Sequence, residues 1–242
     1  MKKLALIFIF IFVYQGVIFA NSPAPMPESD SFKSARFSLV KMELVPNGIK
    51  DPVVIEAMKK VQRHEFVPKK YHDRAYVNTA LPIGPLQTIS QPYMVALMAQ
   101  AIRPSGNDRV LEIGTGTGYS AAVYAEITKE VYTIEIDPVM AKSAGKRLKK
   151  LGYTNVHVKD GDGFFGWPKE APFDAIVLTV AAEFVPPKLA NQLKEGGKLV
   201  MPLGKLYSPQ TLAVITKTGG QLISRPLLGV QFVPMVGEIE NR

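Results

Sequence analysis

The sequence predicts an α/β fold: a doubly wound, mostly parallel sheet with antiparallel strands added at its C-terminal edge. Three observations carry this expectation. Short apolar runs alternate with helix-patterned stretches between Val110 and Met201, the rhythm of a parallel sheet covered on both faces. The first run leads into a glycine-rich turn, Gly114-Thr-Gly-Thr-Gly118, placed where ligands bind in such sheets. The tail has two apolar stretches, Leu212–Ile215 and Leu222-Ile223, around Gly219-Gly220, which reads as an edge hairpin.

From the start of the chain, Met1-Lys2-Lys3 precedes an apolar run from Leu4 to Phe19, broken only by Gln15 and Gly16 and followed by Ala20. A cationic end, an apolar core and a small-residue exit describe a secretory signal peptide over residues 1–20, cleaved after Ala20 or Ser22. The alternative is a retained N-terminal anchor, the run being long for one role and short for the other. Residues 21–36, rich in Pro, Ser and small residues, read as a linker, and residues 37–242 as the folded domain. Asp51 as N-cap with Pro52 behind it opens a helix to about Gln62, with Val54, Ile55, Met58 and Val61 at helical spacing. The Pro- and Gly-containing stretch Leu81–Ser90 is not helical. Pro92 then starts a helix carrying Val95, Ala96, Met98 and Ala99.

The regular part follows. Strands are expected at Val110–Ile113, Val131–Ile136, Val156–Val158, Phe173–Leu178 and Lys198–Met201. Helices are expected from Tyr119, from Pro138 to Leu151, and from Pro186 to Leu193, the last stopped by Gly196-Gly197.

Composition narrows the function classes. The chain has 242 residues and no cysteine, which removes disulfides and thiolate metal sites. Its formal charge of +8 comes from Lys and Arg scattered along the chain rather than clustered with aromatics, so no nucleic-acid partner is expected. The three histidines, His64, His72 and His157, form no Ser/His/Asp constellation and read as structural or solvent-facing; no metal site is expected. Trp167 in Gly166-Trp-Pro168 reads as a core anchor.

The glycine turn can hold a ligand by its backbone. Glycines let the main chain approach closely, and the helix behind them leaves free N–H donors. Those donors suit a phosphate or the carboxylate of an amino-acid moiety. Glu135, at the end of the second parallel strand, can accept hydrogen bonds from a ribose. Gly116-Thr-Gly118-Tyr-Ser-Ala121 also satisfies the dinucleotide pattern, so the glycines alone leave NAD open. Asp160-Gly-Asp162-Gly163 after the third strand is, in isolation, an ordinary turn.

Taken together, Glu112-x-Gly-x-Gly-x-Gly118, the acidic strand end and Asp162-Gly163 resemble class I S-adenosylmethionine-dependent methyltransferases, whose fold is Rossmann-like. A narrower resemblance spans about residues 48–236. Arg63-His-Glu-Phe-Val-Pro68, Leu81-Pro-Ile-Gly84, Gln87-Thr-Ile-Ser-Gln-Pro-Tyr-Met94, Ala171–Ile176, Leu193–Leu199 and Phe232-Val-Pro-Met235 resemble the protein-L-isoaspartate O-methyltransferases. Thr88-Ile-Ser-Gln-Pro92 and the closing Phe-Val-Pro are its specific parts. The chain departs from that family at Pro85-Leu86, Val180 and Glu183, and in its N-terminal segment, since the family usually works in the cytoplasm.

The resemblance implies S-adenosyl-L-methionine as cofactor, contacted by Glu112, Gly114, Thr115, Gly116, Thr117, Gly118, Glu135, Ile136, Asp162 and Gly163, with Asp162 reaching the adenine amino group. It implies Ser90 as the catalytic residue, holding the substrate carboxylate. Thr88 and Ile89 then shape the pocket wall, and Val233 and Pro234 border the peptide groove. Taken alone, Ser90 would instead cap the helix opening at Pro92. The implied partners are damaged proteins and peptides carrying isoaspartyl residues, met by a monomer without stable membrane association once the signal is removed. The other readings are a methyltransferase of this fold with a different acceptor, and an exported, non-catalytic cofactor-binding protein.

Overall fold

The structure is a computed structural model that describes residues 28–84, 87–205 and 208–241. The signal peptide expected over residues 1–20, the first part of the linker and Pro85-Leu86 lie outside the described residues. The linker expected over residues 21–36 gives way to helix earlier than its polarity suggests. α1 (Asp30–Leu39) starts at Ser29, whose hydroxyl accepts from Phe32 N, and it runs on into a π-helical turn at Val40–Leu44. Arg36, a residue that marks a solvated tether by composition, is buried here. It pairs with Glu28 and donates to Lys59 O.

α2 (Pro52–Lys60) has the expected start, with Asp51 Oδ1 accepting from Val53 N at 2.9 Å. It ends before Gln62 because Val61 turns extended and Arg63 follows into the interior. A small antiparallel ribbon, β1 (Leu81–Gly84) with β2 (Gln87–Ile89), precedes α3 (Pro92–Ile102).

The main sheet has seven strands. β3 (Arg109–Ile113), β4 (Glu130–Glu135), β5 (Val156–Asp160), β6 (Phe173–Leu178) and β7 (Leu193–Leu203) are parallel. β8 (Gln210–Thr218) and β9 (Gln221–Val230) complete the expected antiparallel edge. The order is β5-β4-β3-β6-β7-β8-β9. The chain therefore leaves β3 toward β4 on one side and returns to β6 on the other, which opens a crevice at the carboxyl end of β3.

Strand alternation divides the core into two layers. Val110, Val131, Ala175 and Val177 face the buried sides of α1, α2, α3, α4 (Tyr119–Ala125) and α5 (Pro138–Lys150). Leu111, Ile113, Ile134, Ile176 and Leu178 face Phe164, Met235 and Leu189 of α6 (Pro187–Gln192). Gly196-Gly197 does not stop α6, which ends at Gln192; the pair lies inside β7. Pairing with β6 jumps there from Phe173↔Leu193 to Ala175↔Lys198, so the glycines form a bulge. A Cβ at Gly197 would press on Lys194 O and Asp174 O at 2.8 and 2.9 Å.

Candidate active site

The crevice is a cavity of about 1120 Å³. Its walls include the turn between β3 and α4, the β2–α3 junction and the chain after β9, together with the ends of β4 and β6. Gly114 has φ 95°, and a Cβ there would overlap Thr179 Oγ1, which donates to Gly114 O at 2.7 Å. Gly163 also lines the cavity, and a Cβ there would overlap the side chain of Ile113. Thr115, Gly116 and Thr117 also line the cavity, and Thr117 Oγ1 is buried with no hydrogen-bond partner among the described residues. Ile136, 41% exposed, stands at the mouth.

Glu135 ends β4 with its carboxylate against the turn. Oε2 accepts from Gly116 N at 2.8 Å and Oε1 from Asp137 N at 3.2 Å. A buried acceptor at this depth, an unpartnered hydroxyl and a floor without side chains fit a ligand with a hydroxylated sugar and an amino-acid end.

Three residues expected at the cofactor lie outside the lining. Glu112 is fully buried one layer below, because alternation along β3 turns it with Val110 toward α4. It accepts from Ser120 Oγ and from Thr133 Oγ1, the latter at 2.6 Å, and Thr133 Oγ1 lies 2.7 Å from Thr115 Oγ1. Burial pushes its carboxyl up to about 7. Gly118, with φ 91°, is the N-cap of α4 and packs against Leu148. Asp162 caps the 3-10 turn Gly163–Phe165, accepting from Phe164 N at 2.8 Å, while its other oxygen accepts from Glu238 N at 2.7 Å.

On the acceptor side, Thr88, Ile89 and Ser90 line the same cavity as the glycine turn, and Val233 and Pro234 line it after β9. Val233 O accepts from Ala181 N at 2.8 Å. Ser90 is not the helix cap. With Pro92 as the first helical residue the cap position falls on Gln91, and the free N–H of Tyr93 is taken by Asn78 Oδ1 at 3.0 Å. The Ser90 hydroxyl has no hydrogen-bond partner among the described residues.

No sequence motif marks Asn78, Thr179, Gln210 or Arg63 individually as site residues. Asn78, Thr179 and Gln210 line the cavity, and Gln210 Oε1 holds Phe232 N at 2.9 Å. Thr179 follows β6, and only the strand order reveals that β6 neighbours β3. The histidines lie away from the cavity: His64 against Tyr76, and His157 on Glu130 at 2.6 Å. Trp167 is half-buried, edge-on to Tyr132.

A glycine turn at the switch point, an acidic end on the next strand and an antiparallel β7–β8–β9 edge define a class I methyltransferase. The chain belongs to the protein-L-isoaspartate(D-aspartate) O-methyltransferase family, whose model matches residues 36–240. Protein-L-isoaspartate O-methyltransferase 2 of Shewanella sediminis is 49% identical over 239 residues, covering 98% of this chain and 96% of its own. The protein-L-isoaspartate O-methyltransferase of Opitutus terrae is 51% identical over 203 residues, 84% of this chain and 87% of its own. A solved protein-L-isoaspartate O-methyltransferase superposes with TM-score 0.78 at 30% identity, covering 86% of this chain and 67% of that one. A Plasmodium falciparum structure, described as such an enzyme in complex with S-adenosyl-L-homocysteine, gives TM-score 0.71 at 25% identity, covering 83% and 98%.

Proposed function

We propose that the protein is a repair methyltransferase in which Ser90 presents the free α-carboxylate of an L-isoaspartyl residue to the methyl group of S-adenosyl-L-methionine. The observation that supports the role of Ser90 is a hydroxyl without a hydrogen-bond partner among the described residues, on a residue that lines the same cavity as the glycine turn. The cofactor, when bound, supplies a methyl group on a sulfonium. Its holders would be the backbone of Gly114–Gly116, the hydroxyl of Thr117, the carboxylate of Glu135 for ribose hydroxyls, and Ile136 and Gly163 beside the base.

The residues then have little chemistry of their own to do. An α-carboxylate is ionised near neutral pH, so no general base is needed. Its oxygen forms a bond to the methyl carbon as the carbon–sulfur bond breaks. The transfer would leave a neutral thioether on the cofactor and needs no proton movement by the protein. Ser90 fixes the oxygen in line, and the apolar wall of Ile89, Val233 and Pro234 excludes water from two charges about to neutralise each other. The methyl ester is a better leaving group than the carboxylate, so the next backbone nitrogen displaces methanol. The resulting succinimide opens partly to normal aspartate.

Export of the enzyme is a further part of this reading. It rests on the Lys2-Lys3 start and the apolar run Leu4–Phe19, with action as a monomer on damaged exported proteins. N-terminal sequencing of the native protein tests it: a chain starting at Asn21 or Pro23 is expected, and an intact Met1 would refute cleavage. The activity is tested with an isoaspartyl peptide and its aspartyl twin, given labelled S-adenosyl-L-methionine. Label should enter only the isoaspartyl peptide. Label in neither, with cofactor still bound, would indicate another acceptor.

A further inference from the structure

Arg63 is one of the largest side chains with no exposure at all, and among the described residues it has no carboxylate partner within ion-pair distance. Buried arginines are ordinarily paired. Its donors go to main-chain carbonyls instead: Nη1 to Ala75 O at 2.6 Å, Nη2 to Thr79 O at 3.2 Å and to Ser90 O at 3.0 Å. The guanidinium carbon lies 5.5 Å from the centre of the Tyr119 ring, and Nε has no partner among the described residues. Thr79, Ser90 and Tyr119 all line the cavity, while Arg63 stands directly behind them. A guanidinium keeps its proton even where burial lowers its pKa, as it does here. The acceptor wall therefore carries a positive charge on its protein side that no described residue offsets with an ion pair, out of reach of salt.

We propose that Arg63 is a positioning residue of the acceptor subsite: it fixes Ser90 through its carbonyl and supplies the buried positive charge that draws an anionic carboxylate to that wall. The neutral carbonyls satisfy its donors without cancelling its charge, so the balancing anion is the substrate's. This rests on the reading of Ser90 as the carboxylate's contact. It also separates acceptor from cofactor, whose holders on the glycine turn and β4 receive no hydrogen bond from Arg63.

The test compares Arg63→Gln, Arg63→Lys and Ser90→Ala in the full chain. It measures KM and kcat for an isoaspartyl peptide, and the dissociation constant of S-adenosyl-L-homocysteine. Arg63→Gln should raise KM ~10–100-fold and leave the dissociation constant within about threefold, with Arg63→Lys recovering most of the KM. Equal damage by Lys and Gln, or parallel loss of cofactor affinity, would reduce Arg63 to a packing role and overturn the proposal. Unchanged KM in a folded Arg63→Gln would do the same. Should the Gln variant not fold, the unmodified enzyme decides: a peptide with a neutral isoasparagine should bind at least about tenfold more weakly than its isoaspartyl twin, and equal binding overturns the proposal. Normal turnover in Ser90→Ala beside a raised KM in Arg63→Gln would instead sink the Ser90 reading and leave the charge assigned.

Discussion

The hydroxyl of Thr133 donates to the carboxylate of Glu112 at 2.6 Å and lies 2.7 Å from the hydroxyl of Thr115. With Glu112 ionised, the only proton of Thr133 is committed to it, so Thr115 must donate to Thr133. A buried carboxylate thus orients a hydroxyl of the glycine turn from below, without touching the cavity. Burial raises the Glu112 carboxyl from 4.5 to about 7. The folded state therefore holds a proton that the unfolded chain releases between those values. Stability from this group is fully present below about 4.5 and falls as pH rises to about 7, by on the order of 3 kcal/mol. Glu112→Gln removes the titration. The denaturation midpoint of the wild type relative to this variant should drop between pH 4.5 and 7 and stay level above; a constant difference would sink the assignment.

Ser90 and Asn78 divide two roles that sequence alone assigns to one residue. Asn78 takes the free N–H of Tyr93, so Asn78→Ala should lower stability by about 1 kcal/mol, as loss of a cap does. Ser90→Ala should leave the melting temperature within a degree or two and lower turnover ~10–1000-fold. Paired thermal melts and methyl-transfer assays read both. A destabilised Ser90→Ala with normal turnover would return Ser90 to capping.

Much of the frame was legible because local rules decide it. Asp51-Pro52 and Asp137-Pro138 open helices with the aspartate carboxylates capping them. The apolar runs at Val110, Val131 and Phe173 are the central strands. The placement of Glu112 is also local: period-two alternation puts it on the face of Val110, away from the cavity. Pro92 likewise marks Gln91, not Ser90, as the cap position. Other features depend on distant pairing. The bulge at Gly196-Gly197 exists only through the register with β6. The role of Arg63 rests on the carbonyl of Ala75, reached through the 3-10 turns at Arg63–Phe66 and Lys69–Arg74, and on that of Ser90, reached beyond the β1–β2 ribbon. No window of sequence contains both ends of such contacts.

The contact between Gly114 and Thr179 sets the turn's distance from β6. Gly114→Ala would put a methyl group on Thr179 Oγ1 at a residue with φ 95°, two separate costs summing to roughly 2–4 kcal/mol. Adding Thr179→Ala removes the collision and leaves the backbone strain. The double variant should therefore be more stable than Gly114→Ala alone. If Thr179→Ala gives no recovery in a denaturant titration, the close approach does not limit the turn.

Asp162 bears on how the C-terminal segment meets the cofactor site. One oxygen caps the turn at Phe164 and the other holds Glu238 N, and a Cβ at Gly237 would press on the same carboxylate. Each carboxylate oxygen keeps a second lone pair, so the tie to residue 238 and an adenine amino group can share it. If they share it, Asp162→Ala should weaken S-adenosyl-L-homocysteine binding about 10–100-fold, the worth of a hydrogen bond to a charged group. A chain ending at Val236 loses the tie and the packing of Ile239 on the second core layer but keeps the carboxylate, and should bind within about threefold of the wild type. Isothermal titration of both variants distinguishes the roles. Equal losses would mean that Asp162 acts only by anchoring the C-terminal turn, whereas no loss in either would remove it from the cofactor site.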